Sequence, residues 1–220
     1  MSIKKYIKPT ENKPLAQLIS NECNVSNFLA SILVNRGHLS TLEAKQFIGE
    51  ALEISSPFEM RDMTKAVDRI RSAIDNDEKI AVYGDYDCDG ITSTCIVYSY
   101  LNSIGVDAVY YIPSRDDEGY GLNEDAIKQL FEQDVNLIIT VDTGITAITQ
   151  VEYANSLGID VVITDHHQPL DILPPAYAVI NPHRKDDLSP EKNLCGAGVA
   201  FKLLYALEGE YVLNSFIDLV

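Results

Sequence analysis

The chain has 220 residues, of which 46% are apolar, and its 33 acidic and 17 basic side chains give a formal net charge of −16. Phosphate binding needs concentrated positive charge, so this acidity disfavours non-specific nucleic-acid binding unless a metal or another domain supplies the positive field. The absence of an apolar run near 18 residues and of a signal-peptide pattern argues against membrane and secreted proteins. The four cysteines form no C-x-x-C pair, which is typical of reduced thiols in a cytoplasmic protein.

Residues 1–76 are predicted to form a small helical region. Ser40 and Glu43 have the spacing of a capping box at the start of a helix. Apolar residues recur at helical spacing in three other segments, 15–20, 25–37 and 63–74.

From residue 77 to residue 220 the pattern alternates between strands and helices and predicts a second domain. Short β-rich runs occupy residues 79–84, 107–113, 136–142, 160–165 and 177–181. Helical patterns lie between them at 91–105, 123–133 and 146–158. Because the strand runs are apolar throughout, they predict an α/β fold with a parallel five-stranded sheet that carries helices on both faces.

Acidic residues and histidines follow three of the predicted strands. They are Asp85, Asp87, Asp89, Asp142, Asp165, His166 and His167. The carboxyl ends of parallel strands meet at one edge of a sheet, where α/β proteins bind ligands, so these side chains are predicted to converge. Carboxylate oxygens combined with imidazole nitrogen suit Mn²⁺ or Mg²⁺, and cation binding explains why so many like charges are placed together.

These acidic residues have two alternative interpretations. The spacing of the first three also opens a calcium-binding EF-hand, but that loop needs a Glu at its twelfth position, which counted from Asp85 is Ile96. An EF-hand also needs a preceding helix, where a strand is predicted. In the other alternative, each Asp at a strand end is only a helix cap or a turn residue. That explanation would have to apply at three strand ends at once.

Three motifs in order, GDYDCDG (84–90), VDTG (141–144) and TDHH (164–167), resemble the successive motifs of the DHH phosphoesterase superfamily. Two longer segments, 112–122 and 193–207, are similar to its RecJ branch of single-stranded-DNA exonucleases. The resemblance implies cytoplasmic 5′-to-3′ digestion of single-stranded DNA in repair and recombination, by two-metal-ion hydrolysis. It also implies single-strand-binding protein and a helicase as partners, and no membrane.

The resemblance assigns roles to the strand-end residues. The expected ligands of two Mn²⁺ or Mg²⁺ ions are Asp85, Asp87, Asp89, Asp142 and His166. Asp142 is expected to bridge the ions, Asp165 to orient a histidine, and His167 to contact the scissile phosphate or the leaving oxygen. These three form the expected catalytic set. Tyr83 stands where many relatives carry a histidine.

Further residues are expected to bind substrate phosphate beside His167. Arg115 suits a bidentate phosphate clamp, unless it pairs with the acidic residues 116–118. Gly196 and Gly198 precede a helical pattern, where they would let N–H groups approach a phosphate, unless they only allow close packing.

Other functions stay open at this point. The superfamily includes phosphatases of short oligonucleotides or pAp and inorganic pyrophosphatases, which usually lack a segment like 195–203. A non-catalytic replication scaffold is a third possibility, although the intact acidic set argues against it. The chain ends inside an apolar stretch, and the resemblance places another metal-binding Asp and two domains beyond it. The chain is therefore expected to be an N-terminal catalytic fragment with weak or no activity alone.

Overall fold

The computed structural model describes residues 12–49, 54–114, 119 and 121–220. It divides into two compact units, Met1–Ile54 and Ser55–Val220. The described part of the first unit contains α1 (Lys13–Glu22), α2 (Asn27–Asn35) and α3 (Thr41–Phe47). Their apolar faces enclose a small core that includes Ile19 and Leu33. The predicted capping box forms at the start of α3.

The second unit begins with α4 (Met63–Asp75), and strands then alternate with helices. The strands are β1 (Lys79–Tyr83), β2 (Ala108–Tyr111), β3 (Val135–Val141), β4 (Asp160–Thr164) and β5 (Ala178–Ile180). The helices are α5 (Cys88–Ser103), α6 (Glu124–Phe131), α7 (Ile148–Ser156), α8 (Gly196–Glu208) and α9 (Leu213–Phe216). Short 3-10 turns lie at Pro57–Glu59, Gly209–Val212 and Ile217–Leu219.

The five described strands form one parallel sheet in the order β2-β1-β3-β4-β5. After β1 the chain forms β2 along one edge of β1. It then returns past β1 and forms β3 along the opposite edge of β1. The carboxyl ends of β1 and β3 therefore flank the position at which such sheets bind ligands.

Both faces of the sheet are covered by helices. On one face α4, α5 and α8 pack against strand residues such as Val82 and Ile139. On the other face α6 and α7 pack against the strand residues that alternate with these, such as Ala81 and Ile138. Successive strand residues point to opposite faces, so a strand buried on both sides is apolar throughout. The predicted α/β fold with a five-stranded parallel sheet is confirmed.

Helix α4 lies in the sheet unit, whereas its sequence pattern predicts a place in the N-terminal helical region. Its buried residues Met63, Val67 and Ile70 belong to the same apolar core as α5 and α8. The compact units consequently divide after Ile54 and not after residue 76. Among the described residues, none of the helices combines the length and the apolar character needed to cross a membrane.

Lys202 of α8 is a buried cation. Its Nζ donates to the carbonyl oxygen of Ser55 at 2.8 Å and lies 3.1 Å from Oε2 of Glu191, and the residue is 3% exposed. Lys202→Met removes this donor to the carbonyl oxygen of Ser55 and the positive charge beside Glu191, so we expect it to lower the free energy of unfolding by about 2–4 kcal/mol.

Thermal denaturation should show a fall in Tm of about 4–16 °C, given the size of the chain. The control is Lys185→Met, because Lys185 pairs with Asp171 on the surface and its side chain is 85% exposed. Such surface pairs contribute less than about 1 kcal/mol. Equal effects of the two substitutions would contradict the structural role of Lys202.

Candidate metal centre

The loop after β1 and the first turn of α5 bring Asp85, Asp87 and Asp89 to the carboxyl edge of the sheet. Oδ1 of Asp87 accepts a hydrogen bond from N of Gly90 at 2.9 Å and so caps α5. Asp85 is buried, and burial raises the pKa of its carboxyl group. A Cβ on Gly90 would lie 2.7 Å from the carbonyl carbon of Asp85, so this tight turn requires glycine.

Asp89 extends across to the first turn of α8. Its Oδ2 accepts a hydrogen bond from N of Gly196 at 2.7 Å, and its Oδ1 accepts one from N of Ala197 at 2.6 Å. The start of a helix carries partial positive charge, which stabilises a carboxylate there.

Asp142 follows β3 and occupies the centre of the site. Its backbone has a φ of 59°, in the left-handed region that Asp and Asn tolerate better than most residues. The residue is 1% exposed, and its Oδ1 accepts no hydrogen bond from the described residues, although Nε2 of His166 lies 3.1 Å away. Burial, together with the negative charges of Asp89 and Asp87, raises the pKa of Asp142 to about 8.

The loop after β4 is organised by Asp165. Its Oδ1 accepts hydrogen bonds from N of His166 at 2.7 Å and N of His167 at 3.0 Å, while Oδ2 accepts one from N of Ile145 at 2.9 Å. Burial opposes the charge of Asp165, but these bonds and that with the His167 ring lower its pKa overall. Nδ1 of His167 lies 2.8 Å from Oδ1, and this hydrogen bond raises the pKa of His167 to about 9.

The strand ends bring two sets of potential metal ligands together among the described residues. One set is Asp142, His166 and His167, the other is Asp85, Asp87 and Asp142, and the ligand atoms within each set lie within 4.8 Å of one another. Asp142 belongs to both sets, as expected of a carboxylate that bridges two ions about 3.5–4 Å apart.

These residues fit a hard divalent cation. Oδ1 of Asp85 and Oδ1 of Asp142 are buried without a hydrogen-bond partner among the described residues, which is unfavourable unless a cation satisfies them. Carboxylate oxygens with imidazole nitrogen match the preferences of Mn²⁺ and Mg²⁺. Asp89 lies outside both sets, but its Oδ2 is 3.6 Å from Nε2 of His166.

The other residues predicted to bind substrate phosphate are Arg115, Gly196 and Gly198. Arg115 lies outside the described residues. The amide of Gly196 donates to Asp89, and that of Gly198 donates to Sγ of Cys195 at 3.4 Å. Both amides therefore already have acceptors within the protein.

Asn181, which the sequence analysis did not single out, links a fourth strand end to the site. It follows β5 and is buried. Its Nδ2 donates to the carbonyl oxygen of His167 at 2.9 Å, and its Oδ1 accepts a hydrogen bond from N of His183 at 2.7 Å. Its position as the last residue of the predicted strand 177–181 was the available signal. Tyr83 packs in the core, where its ring stacks on Tyr111 and its hydroxyl donates to a backbone carbonyl oxygen.

Comparisons with known proteins identify the family of the chain. Residues 79–220 match the family described as DHH family, N-terminal domain. The chain is 42% identical over 204 residues to the single-stranded-DNA-specific exonuclease RecJ of Bacillus subtilis (strain 168), an alignment that covers 92% of this chain and 26% of the relative. It therefore spans about a quarter of the length of this curated relative.

Two solved structures are also similar. One is the crystal structure of exonuclease RecJ bound to manganese, with a TM-score of 0.63 and 36% identity, covering 69% of this chain and 38% of that chain. The other is RecJ in complex with Mn²⁺ from Thermus thermophilus, with a TM-score of 0.71 and 27% identity, covering 90% of this chain and 27% of that chain.

Proposed function

This chain belongs to the DHH family, and we propose that it carries the metal centre of an exonuclease that digests single-stranded DNA from the 5′ end. The observation that carries the proposal is Asp142, which is common to two ligand sets and has a buried oxygen without a partner among the described residues. The substrate named for the Bacillus subtilis relative and the manganese bound by the similar structures support the substrate class and the metal.

Five of the strand-end residues have a proposed role in holding two ions. Asp85 and Asp87 would hold one ion, Asp89 and His166 would hold the other, and Asp142 would be a ligand of both. Divalent ions, when bound, neutralise the charge of the phosphodiester and lower the pKa of the attacking water. Asp85, Asp87 and Asp142 form one ligand set, and His166 shares the other set with Asp142 and His167. Asp89 is assigned to the second ion because its Oδ2 lies 3.6 Å from Nε2 of His166, and His167 is given a role towards the substrate.

His167 and Asp165 act on the substrate side of the reaction. Asp165 accepts hydrogen bonds from both backbone amides of the loop and holds Nδ1 of His167, so the imidazole has a fixed orientation. We assign His167 the contact with the scissile phosphate or with the oxygen that leaves. Asp165 orients that ring, as carboxylates commonly do for histidines in metal sites.

The charge of the chain makes substrate binding dependent on the cation. A cluster of ionised carboxylates repels a phosphodiester, so the bound ions have to reverse the local charge before DNA approaches.

We also propose that the enzyme works in the cytoplasm, in repair and recombination. Single-strand-binding protein and a helicase are its proposed partners, because an exonuclease restricted to single strands needs another activity to open a duplex.

The test is a hydrolysis assay of the natural full-length protein that contains residues 1–220. Labelled single-stranded DNA, the matching duplex, pAp and pyrophosphate are each incubated with Mn²⁺, with Mg²⁺ or with a chelator. We expect mononucleotides to be released from the 5′ end of the single strand only when a divalent ion is present. Activity that persists in chelator would contradict the proposal, and faster hydrolysis of pAp or pyrophosphate would indicate the phosphatase alternative. Absence of any hydrolysis would indicate the third alternative, a non-catalytic replication scaffold.

A further inference from the structure

The first turn of α8 is occupied by a side chain from a distant part of the chain. The first N–H groups of an α-helix have no acceptor within the helix. Here the amides of Gly196 and Ala197 donate to the two oxygens of Asp89, at 2.7 and 2.6 Å, across a separation of 107 and 108 residues. Each carboxylate oxygen therefore has its own donor, which fixes the rotation of the carboxylate as well as its position.

A second and independent observation points to a cation next to this turn. Oδ1 of Asp142 is buried and accepts no hydrogen bond within the described part of the chain. The same side chain touches the start of α8, because a Cβ on Gly196 would lie 2.6 Å from Cβ and Cγ of Asp142. Nε2 of His166 lies 3.1 Å from Oδ1 of Asp142 and 3.6 Å from Oδ2 of Asp89.

From this geometry we propose that the first turn of α8 is a positioning element of the metal centre. The amides of Gly196 and Ala197 hold the carboxylate of Asp89 towards Asp142 and His166. Gly196 is required because any side chain at this position would displace Asp142. The inference rests on the proposed function for the identity of the ion, and it gives these glycine and alanine residues a role that acts on the ligands and not on the substrate.

The two glycines of the turn provide a matched test. The same substitution, Gly→Ala, raises helix propensity at both positions. A Cβ at position 198 would meet the side chain of Leu194 at 3.1 Å and Sγ of Cys195 at 3.7 Å, which are flexible neighbours, whereas a Cβ at position 196 would overlap the Asp142 side chain. Isothermal titration of the full-length protein with Mn²⁺ should show affinity reduced about 10–100-fold in Gly196→Ala and within about 3-fold of the parent in Gly198→Ala.

Amide hydrogen exchange tests the contact with Asp89 without altering α8. In the metal-free protein, Asp89→Ala should accelerate exchange at the amides of Gly196 and Ala197 by at least about 10-fold, because their acceptor is gone. The amide of Gly198, whose acceptor is Cys195, should exchange as before. This comparison tests the contact between Asp89 and the two amides even where Gly196→Ala does not fold.

Equal Mn²⁺ affinity in the two alanine variants would overturn the proposal, as would unchanged exchange of both amides in Asp89→Ala. A failure of the proposed exonuclease activity is distinguishable from these two outcomes. A protein without nuclease activity, whose Mn²⁺ affinity still falls in Gly196→Ala, would contradict the exonuclease and leave the positioning role of α8 standing.

Discussion

Asp142→Asn is expected to reduce hydrolysis of single-stranded DNA by at least about 1000-fold while leaving the protein folded. The substitution removes the charge of the carboxylate that both ligand sets share, so neither ion keeps its full set of donors. Asparagine has nearly the same size and tolerates the left-handed backbone of this residue, whose φ is 59°. Alanine would add backbone strain at that position and confuse the result.

The control for this experiment is Asp134→Asn. Asp134 also has a left-handed backbone, with a φ of 63°, but it is exposed and precedes β3, whereas Asp142 follows that strand. We expect its activity to stay within about twofold of the parent, as for ordinary surface substitutions. The measurement is the initial rate on labelled single-stranded DNA at saturating Mn²⁺. More than about a tenth of the parent activity in Asp142→Asn would contradict the bridging role.

The metal-free protein is expected to lose stability as the pH rises from about 4 to about 8. Burial, with added repulsion from Asp89 and Asp87, raises the pKa of Asp142 to about 8. The unfolded chain releases this proton near the ordinary pKa of about 3.9, whereas the folded chain retains it until about pH 8. Stability due to the protonated carboxyl is therefore complete below pH 4 and is lost progressively up to about pH 8, by a total on the order of a few kcal/mol.

Asp142→Asn isolates this contribution, because asparagine does not titrate. In chelator, the Tm of the variant minus that of the parent should increase between pH 5 and pH 8 and reach about 5 °C or more at pH 8. The Asp134→Asn variant should follow the parent at every pH. A difference between Asp142→Asn and the parent that is constant across this range would show that Asp142 is ionised throughout, and the expectation would be wrong.

The sequence was sufficient to predict the sheet because a strand covered on both faces leaves a local signature. Apolar runs such as Lys79–Tyr83 and Val135–Val141 have polar residues only near their ends, so both the strands and the acidic residues that follow them were predictable. The position of α4 was not, because its apolar stripe fits either the N-terminal helices or the sheet. Periodicity identifies a face of a helix but not the surface that it contacts.

The same limit applies within the metal centre. That Asp142, His166 and His167 lie together follows from parallel strand order, which motifs at three strand ends can reveal. The hydrogen bonds from α8 to Asp89 depend on how two helices pack after folding, and no local pattern near Gly196 encodes an acceptor 107 residues away. Gly196 and Gly198 are predicted either to let N–H groups approach a phosphate or only to allow close packing; in the structure the amide of Gly196 donates to the carboxylate of Asp89, and that of Gly198 donates to Sγ of Cys195.

The left-handed backbone at residue 142 also bears on how such a centre disappears during evolution. Asparagine and glycine are the substitutes best suited to that conformation, and each is one base change away from an aspartate codon. Either change removes a buried carboxyl group whose ionisation weakens the ion-free fold. We therefore expect a descendant with either change to lose the metal centre and to keep its fold.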